Sequence, residues 1–338
     1  MIHPLTIAIA LTDLCAAGLL LATALRSIPV IRGWSPGDAS ARQIDLERRL
    51  EAASLLGRTG TVVFVTSSIA LLLAITAVLP QIVPGAMCGT GIVEAAKAEW
   101  ALGLRAAALL SIVGWASLDR LDRAAPHAPL ATATAKAVLP AAPLSIWTAY
   151  ETLRAFGRLS GQGVVDCCAS VYAAAETSTT ATVEQLAPLN VWLFAGGAAA
   201  LVVGGFFIGG QRRDVGVGIG GGLCAVVAVW IPLAAEVLIE VLAPYHYEVL
   251  AHHCPWCLFR SEHGAVGYLL FGALAVTAFE AVALLTSLLA ASKSESIRKA
   301  ANHRIQAAGR RIALATVVFA VLASAPAISW VIRFGVWL

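Results

Sequence analysis

The sequence predicts an all-α integral membrane protein, a polytopic helical bundle with about eight transmembrane helices. Of the 338 residues, 59% are hydrophobic and only 13% are charged, whereas a typical soluble domain carries about 25% charged residues. Apolar runs of roughly 20 residues recur along the chain, and a helix of that length crosses a hydrocarbon core about 30 Å thick. We therefore expect a single transmembrane domain over residues 1–338.

The apolar runs define the predicted spans. They cover residues 4–25, 59–80, 101–118, 135–153, 189–210, 215–242, 265–291 and 312–336. The fourth run contains Pro140 and Pro143, so a kinked or partly re-entrant helix is the alternative there. No basic residue precedes the first run, which is unlike a signal peptide. We expect this run to be a retained span, with a cleaved leader as the less favoured alternative.

Basic residues are concentrated in alternate loops. The loops 26–58, 119–136, 211–214 and 292–311 hold 17 of the 23 Lys and Arg residues. By the positive-inside rule these loops are cytoplasmic and both termini face outward. We expect a bacterial inner membrane, with the other loops on the periplasmic or exterior face. The lipid bilayer is the expected partner, and nucleic acid is not, because no separate basic domain is present.

Residues 38–58, in the longest cytoplasmic loop, mix regularly spaced leucines with charges. This pattern is typical of an amphipathic helix that lies on the membrane surface. Docking of a partner is the less favoured alternative.

Cysteine placement is the strongest indication of chemistry. Cys88, Cys167, Cys168, Cys254 and Cys257 fall in loops predicted to face outward, whereas Cys15 and Cys224 lie within spans. In an oxidising exterior compartment, thiols form disulfides, exchange them or bind metal.

The sharpest motif is HHCPWCLF at 252–259. Two cysteines three residues apart suit a redox disulfide, in which a helix N-terminus and a nearby histidine stabilise the first thiolate. The same spacing suits two ligands of a soft metal ion, copper or zinc, with His252 and His253 as further ligands or cofactor contacts. A redox disulfide, a metal site and a pair of cysteines without chemical function all stay open as interpretations.

This cysteine–proline–aromatic–cysteine motif resembles that of the vitamin K epoxide reductase family and, more loosely, that of the quinone-coupled disulfide-forming membrane oxidoreductases. In that family the motif lies beside a quinone and receives electrons from a second cysteine pair in an outer loop. The resemblance implies that Cys254 and Cys257 are the quinone-proximal pair. It covers this motif alone, and the second pair here is vicinal.

The remaining outer cysteines have several interpretations. Cys167 and Cys168 are adjacent, so a bond between them would be strained, and disulfides to other partners, metal binding and a redox relay are all open. Cys88 lies in PGAMCGTGI at 84–92, where glycines allow a tight turn and close approach of another loop. A disulfide that ties two outer loops is the simplest role for Cys88.

Four histidines, His246, His252, His253 and His263, surround the motif. Imidazole serves both copper or zinc binding and proton-coupled thiol chemistry, so these residues do not separate the two hypotheses. No haem is expected, because Leu258 follows Cys257 and the covalent attachment order C-x-x-C-H is absent.

Charged residues inside the predicted spans are costly and therefore indicate function. Asp13, Glu236 and Glu280 are candidates for a proton or ion path. The alternatives are that Asp13 and Glu240 lie near the interface and that Glu236 and Glu280 hydrogen-bond to neighbouring helices. Arg105 could snorkel, contact a quinone head group as a cofactor-binding residue, or form an ion pair with one of these carboxylates. The ion pair is favoured.

Three functions follow from these residues. The first is a thiol–disulfide electron relay from an exterior thiol protein through Cys88, Cys167 and Cys168 to Cys254, Cys257 and a quinone. The second is a membrane protein that binds or transports copper or zinc through exterior Cys and His. The third is a non-catalytic subunit of a membrane complex whose outer loops are joined by disulfides. The relay is the favoured hypothesis.

Overall fold

The computed structural model of the chain describes residues 3–35, 38, 40–161, 165, 180–211, 214–249 and 252–336. Almost all of these residues are helical, and no β-strand occurs among them. The predicted all-α architecture is therefore confirmed. The helices are α1 Pro4–Gly33, α2 Ala41–Leu73, α3 Gly89–Ala96, α4 Glu99–Arg123, α5 Ala131–Ala137, α6 Ala141–Ser160, α7 Thr180–Gly210, α8 Val217–Val237, α9 Ala243–Tyr247, α10 Gly267–Ala291 and α11 Glu295–Phe334.

Within the described residues, seven helical segments are long and apolar enough to cross a membrane. They are Pro4–Gly33, Ala41–Gln81, Glu99–Arg123, Leu189–Gly210, Val217–Tyr247, Gly267–Ala291 and Glu295–Phe334. The predicted fourth span, 135–153, is not among them. Its residues form the end of α5 and most of α6, with Val138–Pro140 between the two helices.

Two helices are much longer than the predicted spans. Helix α2 has 33 residues and α11 has 40, and at about 1.5 Å per residue α11 is about 60 Å long, twice the thickness of a hydrocarbon core. Residues 41–58, predicted as part of a surface helix, are helical but continue directly into the second span. The basic residues of the predicted loop 292–311 likewise lie mostly on the first turns of α11.

Two of the spans end in helical segments that are not α-helical. Helix α2 continues as a π-helix over Ala74–Val78 and a 3₁₀ turn over Leu79–Gln81. Helix α8 continues as a π-helix over Leu238–Leu242 before α9. Such π segments are rare and occur often at functional sites, because the extra residue rotates the side chains that follow. Here each one precedes a loop that carries cysteine.

The chain divides into two compact units. Unit 1 comprises Met1–Ile75, Val93–Gln162 and Thr286–Arg304, and unit 2 comprises Thr76–Ile92, Gly163–Leu285 and Ile305–Leu338. In unit 1, α1 packs against α2, α5 and α6, and α4 packs against α6. In unit 2, Trp230 of α8 stacks on Phe194 of α7 and meets Phe319 of α11 edge-on, while its indole nitrogen donates to the Phe194 carbonyl oxygen at 3.0 Å.

Small residues allow close helix approach in unit 1. A Cβ atom on Gly57 of α2 would lie 2.5 Å from Cζ2 of Trp115, whose side chain is fully buried in α4. The indole ring therefore occupies the space that a side chain at position 57 would need.

We predict that Gly57→Ala lowers the thermal midpoint of the detergent-solubilised protein. Alanine favours a helix by up to about 1 kcal/mol, but displacing a fully buried indole costs about 1–3 kcal/mol. Gly18→Ala on α1 is the matched control, because no atom lies within 4 Å of the position that its new methyl carbon would take, and it should leave the midpoint unchanged or raise it. Equal midpoints for the two variants would contradict the proposed contact.

Candidate thiol centre

Three cysteines from two distant parts of the sequence meet in unit 2. Cys88 lies immediately before α3, and Cys254 and Cys257 lie at the start and in the middle of the segment Cys254–Phe259, whose last five residues form a 3₁₀ helix. The sulfur atoms of all three lie within 4.8 Å of one another. The Sγ atoms of Cys88 and Cys254 are 3.5 Å apart although 166 residues separate them. We call these three residues the thiol cluster.

The thiol cluster is buried. The exposed fractions of Cys254, Cys88 and Cys257 are 2%, 5% and 9%, and no disulfide joins the described cysteines. Thr90, on the first turn of α3, places its hydroxyl oxygen 2.9 Å from the Cys254 sulfur. A large substrate such as another protein would therefore have little access to these sulfur atoms, whereas a single ion needs little room.

The loop that carries Cys88 is fixed against the CPWC segment by two contacts. Gly89 lies against the indole of Trp256, and a Cβ atom on this glycine would be 2.7 Å from the ring. Arg260 donates a hydrogen bond to the carbonyl oxygen of Met87 and pairs with Glu262 at 2.9 Å. The close approach of another loop, predicted from the glycines around Cys88, is confirmed.

An aromatic group supports the other side of the segment. The hydroxyl of Tyr247, at the end of α9, donates to the carbonyl oxygen of Cys254. The rings of His252 and His263 each meet the Tyr247 ring edge-on, with centroids 4.7 Å apart. Because Tyr247 belongs to the last turn of a span, it fixes the position of Cys254 relative to that helix end.

Hydrogen bonding within the thiol cluster favours one thiolate. The Cys257 and Cys88 thiols, followed by the Thr90 hydroxyl, hydrogen-bond to the Cys254 sulfur and lower the pKa of Cys254, against the opposing effect of burial. The same arrangement, together with burial, raises the pKa of Cys257. The sequence predicted a helix N-terminus and a histidine as the stabilising groups. The backbone N–H of Cys257, in the 3₁₀ helix that follows Cys254, does lower the pKa of Cys254, but the neighbouring thiols and Thr90 contribute more.

Neither predicted histidine ligand belongs to the set of ligand atoms that lie within 4.8 Å of one another, but His252 interacts electrostatically with Cys88. Burial lowers the pKa of His252, the negative charge of Cys88 opposes this shift, and His263 and His253 add to it. The His252 ring packs on Tyr247. The Nδ1 atom of His253 is 3.3 Å from the Ile239 carbonyl oxygen and 3.8 Å from Glu240. Cys167 and Cys168 lie outside the described residues.

Sequence reasoning did not predict two residues that position the thiol cluster, Thr90 and Arg260. Thr90 lies two residues after Cys88, so its position in a cysteine loop was the only available signal. No local sequence pattern indicated a role for Arg260, because its contact with Met87 joins residues 173 positions apart.

Three buried sulfur atoms at these distances can bind one soft ion. Sulfur ligands about 2.3 Å from a tetrahedral zinc lie about 3.8 Å from each other. This value falls between the 3.5 Å that separates the Cys88 and Cys254 sulfur atoms and the limit of 4.8 Å for all three. The same atoms can exchange disulfide bonds after a shift of about 1.5 Å, since a disulfide is about 2.05 Å long. The geometry of the three sulfur atoms permits both metal binding and disulfide exchange.

No protein-family model, curated protein or solved structure matches this chain.

The predicted ion pair of Arg105 is present in unit 1. Arg105 of α4 pairs with Asp13 of α1, and the side chains are 5% and 1% exposed. Asp13 also accepts a hydrogen bond of 2.6 Å from Ser67, while Arg105 donates to Ser68 at 3.2 Å and to Thr152 at 3.1 Å. Four helices, α1, α2, α4 and α6, thus contribute to one buried polar network.

The other predicted path residues have local partners in unit 2. Glu236 of α8 accepts a hydrogen bond of 3.2 Å from Asn190, and Glu280 of α10 pairs with Arg311 of α11 at 3.0 Å. These contacts connect neighbouring helices. A proton or ion path through Asp13, Glu236 and Glu280 stays a prediction.

We predict that Asp13→Asn and Arg105→Gln each lower the free energy of unfolding by about 3–5 kcal/mol, because each leaves a buried charge without its partner. The double variant should lose clearly less free energy of unfolding than the sum of the losses in the two single variants. Denaturant titration in detergent measures all three. The exposed pair Asp45 and Arg49 is the control, with an expected coupling of about 0.3–0.5 kcal/mol. Additive losses at Asp13 and Arg105 would contradict the pairing.

Proposed function

We propose that this membrane protein binds a soft metal ion through Cys88, Cys254 and Cys257. The observation that carries the proposal is the convergence of three buried sulfur atoms within 4.8 Å. Thiolates select soft ions such as Cu(I) and Zn(II) over hard ones. Three sulfur ligands complete a trigonal Cu(I) site, whereas zinc takes a fourth ligand. Cu(I) is therefore the favoured ion.

The proposed function is binding of the ion and not its transport across the membrane. Asp13, Glu236 and Glu280 each have a local partner, and carboxylates are poor ligands for Cu(I). The buried sulfur atoms would hold an ion away from exterior water and large thiols.

The thiol–disulfide relay is the second candidate, supported by the 3.5 Å separation of the Cys88 and Cys254 sulfur atoms. Oxidation of the Cys254 and Cys257 thiols would form one disulfide and transfer two electrons and two protons to a quinone, giving the quinol. The Cys88 thiolate would then attack Cys254, forming a new disulfide and releasing the Cys257 thiolate. The resemblance of the CPWC motif to quinone-coupled oxidoreductases favours the same chemistry.

We predict that the purified protein binds one Cu(I) per chain and that Cys88→Ser, Cys254→Ser and Cys257→Ser each abolish tight binding. Competition with a chromogenic Cu(I) chelator measures affinity, and elemental analysis measures stoichiometry. Cys15→Ser and Cys224→Ser are the controls, because both residues lie within spans outside the thiol cluster, and they should bind as the parent does.

Alkylation before and after reduction distinguishes the two candidates. A bound ion protects the thiol cluster from alkylation until a chelator removes it, with or without reductant. A disulfide protects the cysteines from alkylation only until a reductant cleaves the disulfide. Metal-free protein whose disulfide cycles with added quinone would replace the metal proposal with the relay.

We also predict that Arg260→Gln weakens Cu(I) binding by about 10- to 100-fold and leaves the stoichiometry at one, since loss of a supporting contact outside the ligand set typically has that effect. The variant removes the hydrogen bond to Met87, next to Cys88. Arg298→Gln on the exposed first turns of α11 is the charge-matched control. An unchanged affinity in Arg260→Gln would show that the Met87 contact does not position Cys88.

A further inference from the structure

A cleft in unit 1 combines basic and aromatic side chains at the end of a membrane span. It has a volume of about 740 Å³ and lies between the start of α4 and the face of α6 that carries Trp147, Glu151, Arg154 and Arg158. This volume is within the range of about 300–1,000 Å³ that small-molecule sites occupy. None of its residues belongs to the thiol cluster.

The cationic side of the cleft consists of Lys97, Arg154 and Arg158. The Arg158 guanidinium donates to the carbonyl oxygen of Lys97 at 3.3 Å, which holds the two residues together. Arg154 pairs with Glu151 at 2.9 Å and lies over the Tyr150 ring. Two of the three cations therefore have no carboxylate partner among the described residues and can contact an anion.

The carboxylates of the cleft do not cancel this charge. Glu151 is already paired with Arg154, and Glu99 is the second acid in the lining. Three cations and two carboxylates leave a net charge of +1, which complements a ligand with one negative charge, such as a phosphodiester.

The apolar side of the cleft has the composition of a membrane interface. Trp100, on the first turn of α4, is 76% exposed, and Trp147 of α6 is 55% exposed, while Leu104 lies one turn further along α4. An exposed tryptophan at the end of a span, such as Trp100 at the start of α4, is typical of the headgroup level of a bilayer. The charged part of the cleft thus matches an anionic lipid headgroup, and the apolar part matches the glycerol and acyl chains.

We propose that this cleft binds one anionic phospholipid. The phosphate contacts Lys97 and Arg158, and the glycerol and upper acyl chains lie along Trp100, Trp147 and Leu104. Lys and Arg side chains bind phosphate oxygens through charge-assisted hydrogen bonds. The phospholipid site is independent of the proposed metal centre, so either can fail without the other.

The test is native mass spectrometry of the full-length protein in detergent, with phosphatidylglycerol and phosphatidylcholine added in turn. We expect one retained phosphatidylglycerol and weak retention of phosphatidylcholine. Lys97→Gln combined with Arg158→Gln should lower the phosphatidylglycerol affinity by about 30-fold. Arg298→Gln combined with Lys299→Gln removes the same charge from α11 and should have no effect. Equal retention of both lipids, or an equal loss in both double variants, would overturn the proposal.

Two further arms keep the result interpretable. Arg158 also contacts the backbone, so Lys97→Gln alone, at an exposed side chain, should still weaken phosphatidylglycerol binding if folding is intact. Inorganic phosphate at millimolar concentration distinguishes the source of the anion. It should not displace the phospholipid, and displacement would show a site for free phosphate instead.

Discussion

The lack of hydrogen-bonding solvent inside a bilayer is the constraint on which the rest of the structure depends. Every polar group that enters the hydrocarbon region needs a partner within the protein. Continuous helices meet this requirement for the backbone, and side chains meet it through specific contacts such as Asp13 with Arg105 and the Trp230 indole with the Phe194 carbonyl oxygen. These contacts in turn fix which helices are neighbours within each unit.

The candidate thiol centre lies where that constraint is relaxed, in loops that follow the ends of spans. The π segments Ala74–Val78 and Leu238–Leu242 come before the two loops that carry its cysteines. Beyond them the chain forms only a short 3₁₀ turn or the five-residue helix α9 before the cysteine loops. The contacts of Gly89 with Trp256 and of Arg260 with Met87 take over the positioning. The spans provide the framework, and a few loop contacts determine the sulfur geometry.

The fold was largely predictable because burial in a membrane leaves a direct signal, the long apolar run. The same signal does not extend to polar helical segments. A helix over 41–58 was predicted from its amphipathic pattern, but its continuity with the second span was not, and neither was the charged first part of α11. The shared location of Cys88, Cys254 and Cys257 followed from predicted topology alone. Their convergence to a few ångströms did not, because it depends on loop packing between residues 166 positions apart.

That separation in sequence also has a consequence for biosynthesis. At about 5–20 residues per second, a ribosome completes Cys254 roughly 8–33 s after Cys88. During this interval Cys88 has neither of the sulfur atoms that later surround it. A bound ion or an exchangeable disulfide can therefore be acquired only late, once most of the helices have entered the membrane, and the nascent Cys88 thiol is the part of the centre most exposed to unwanted oxidation.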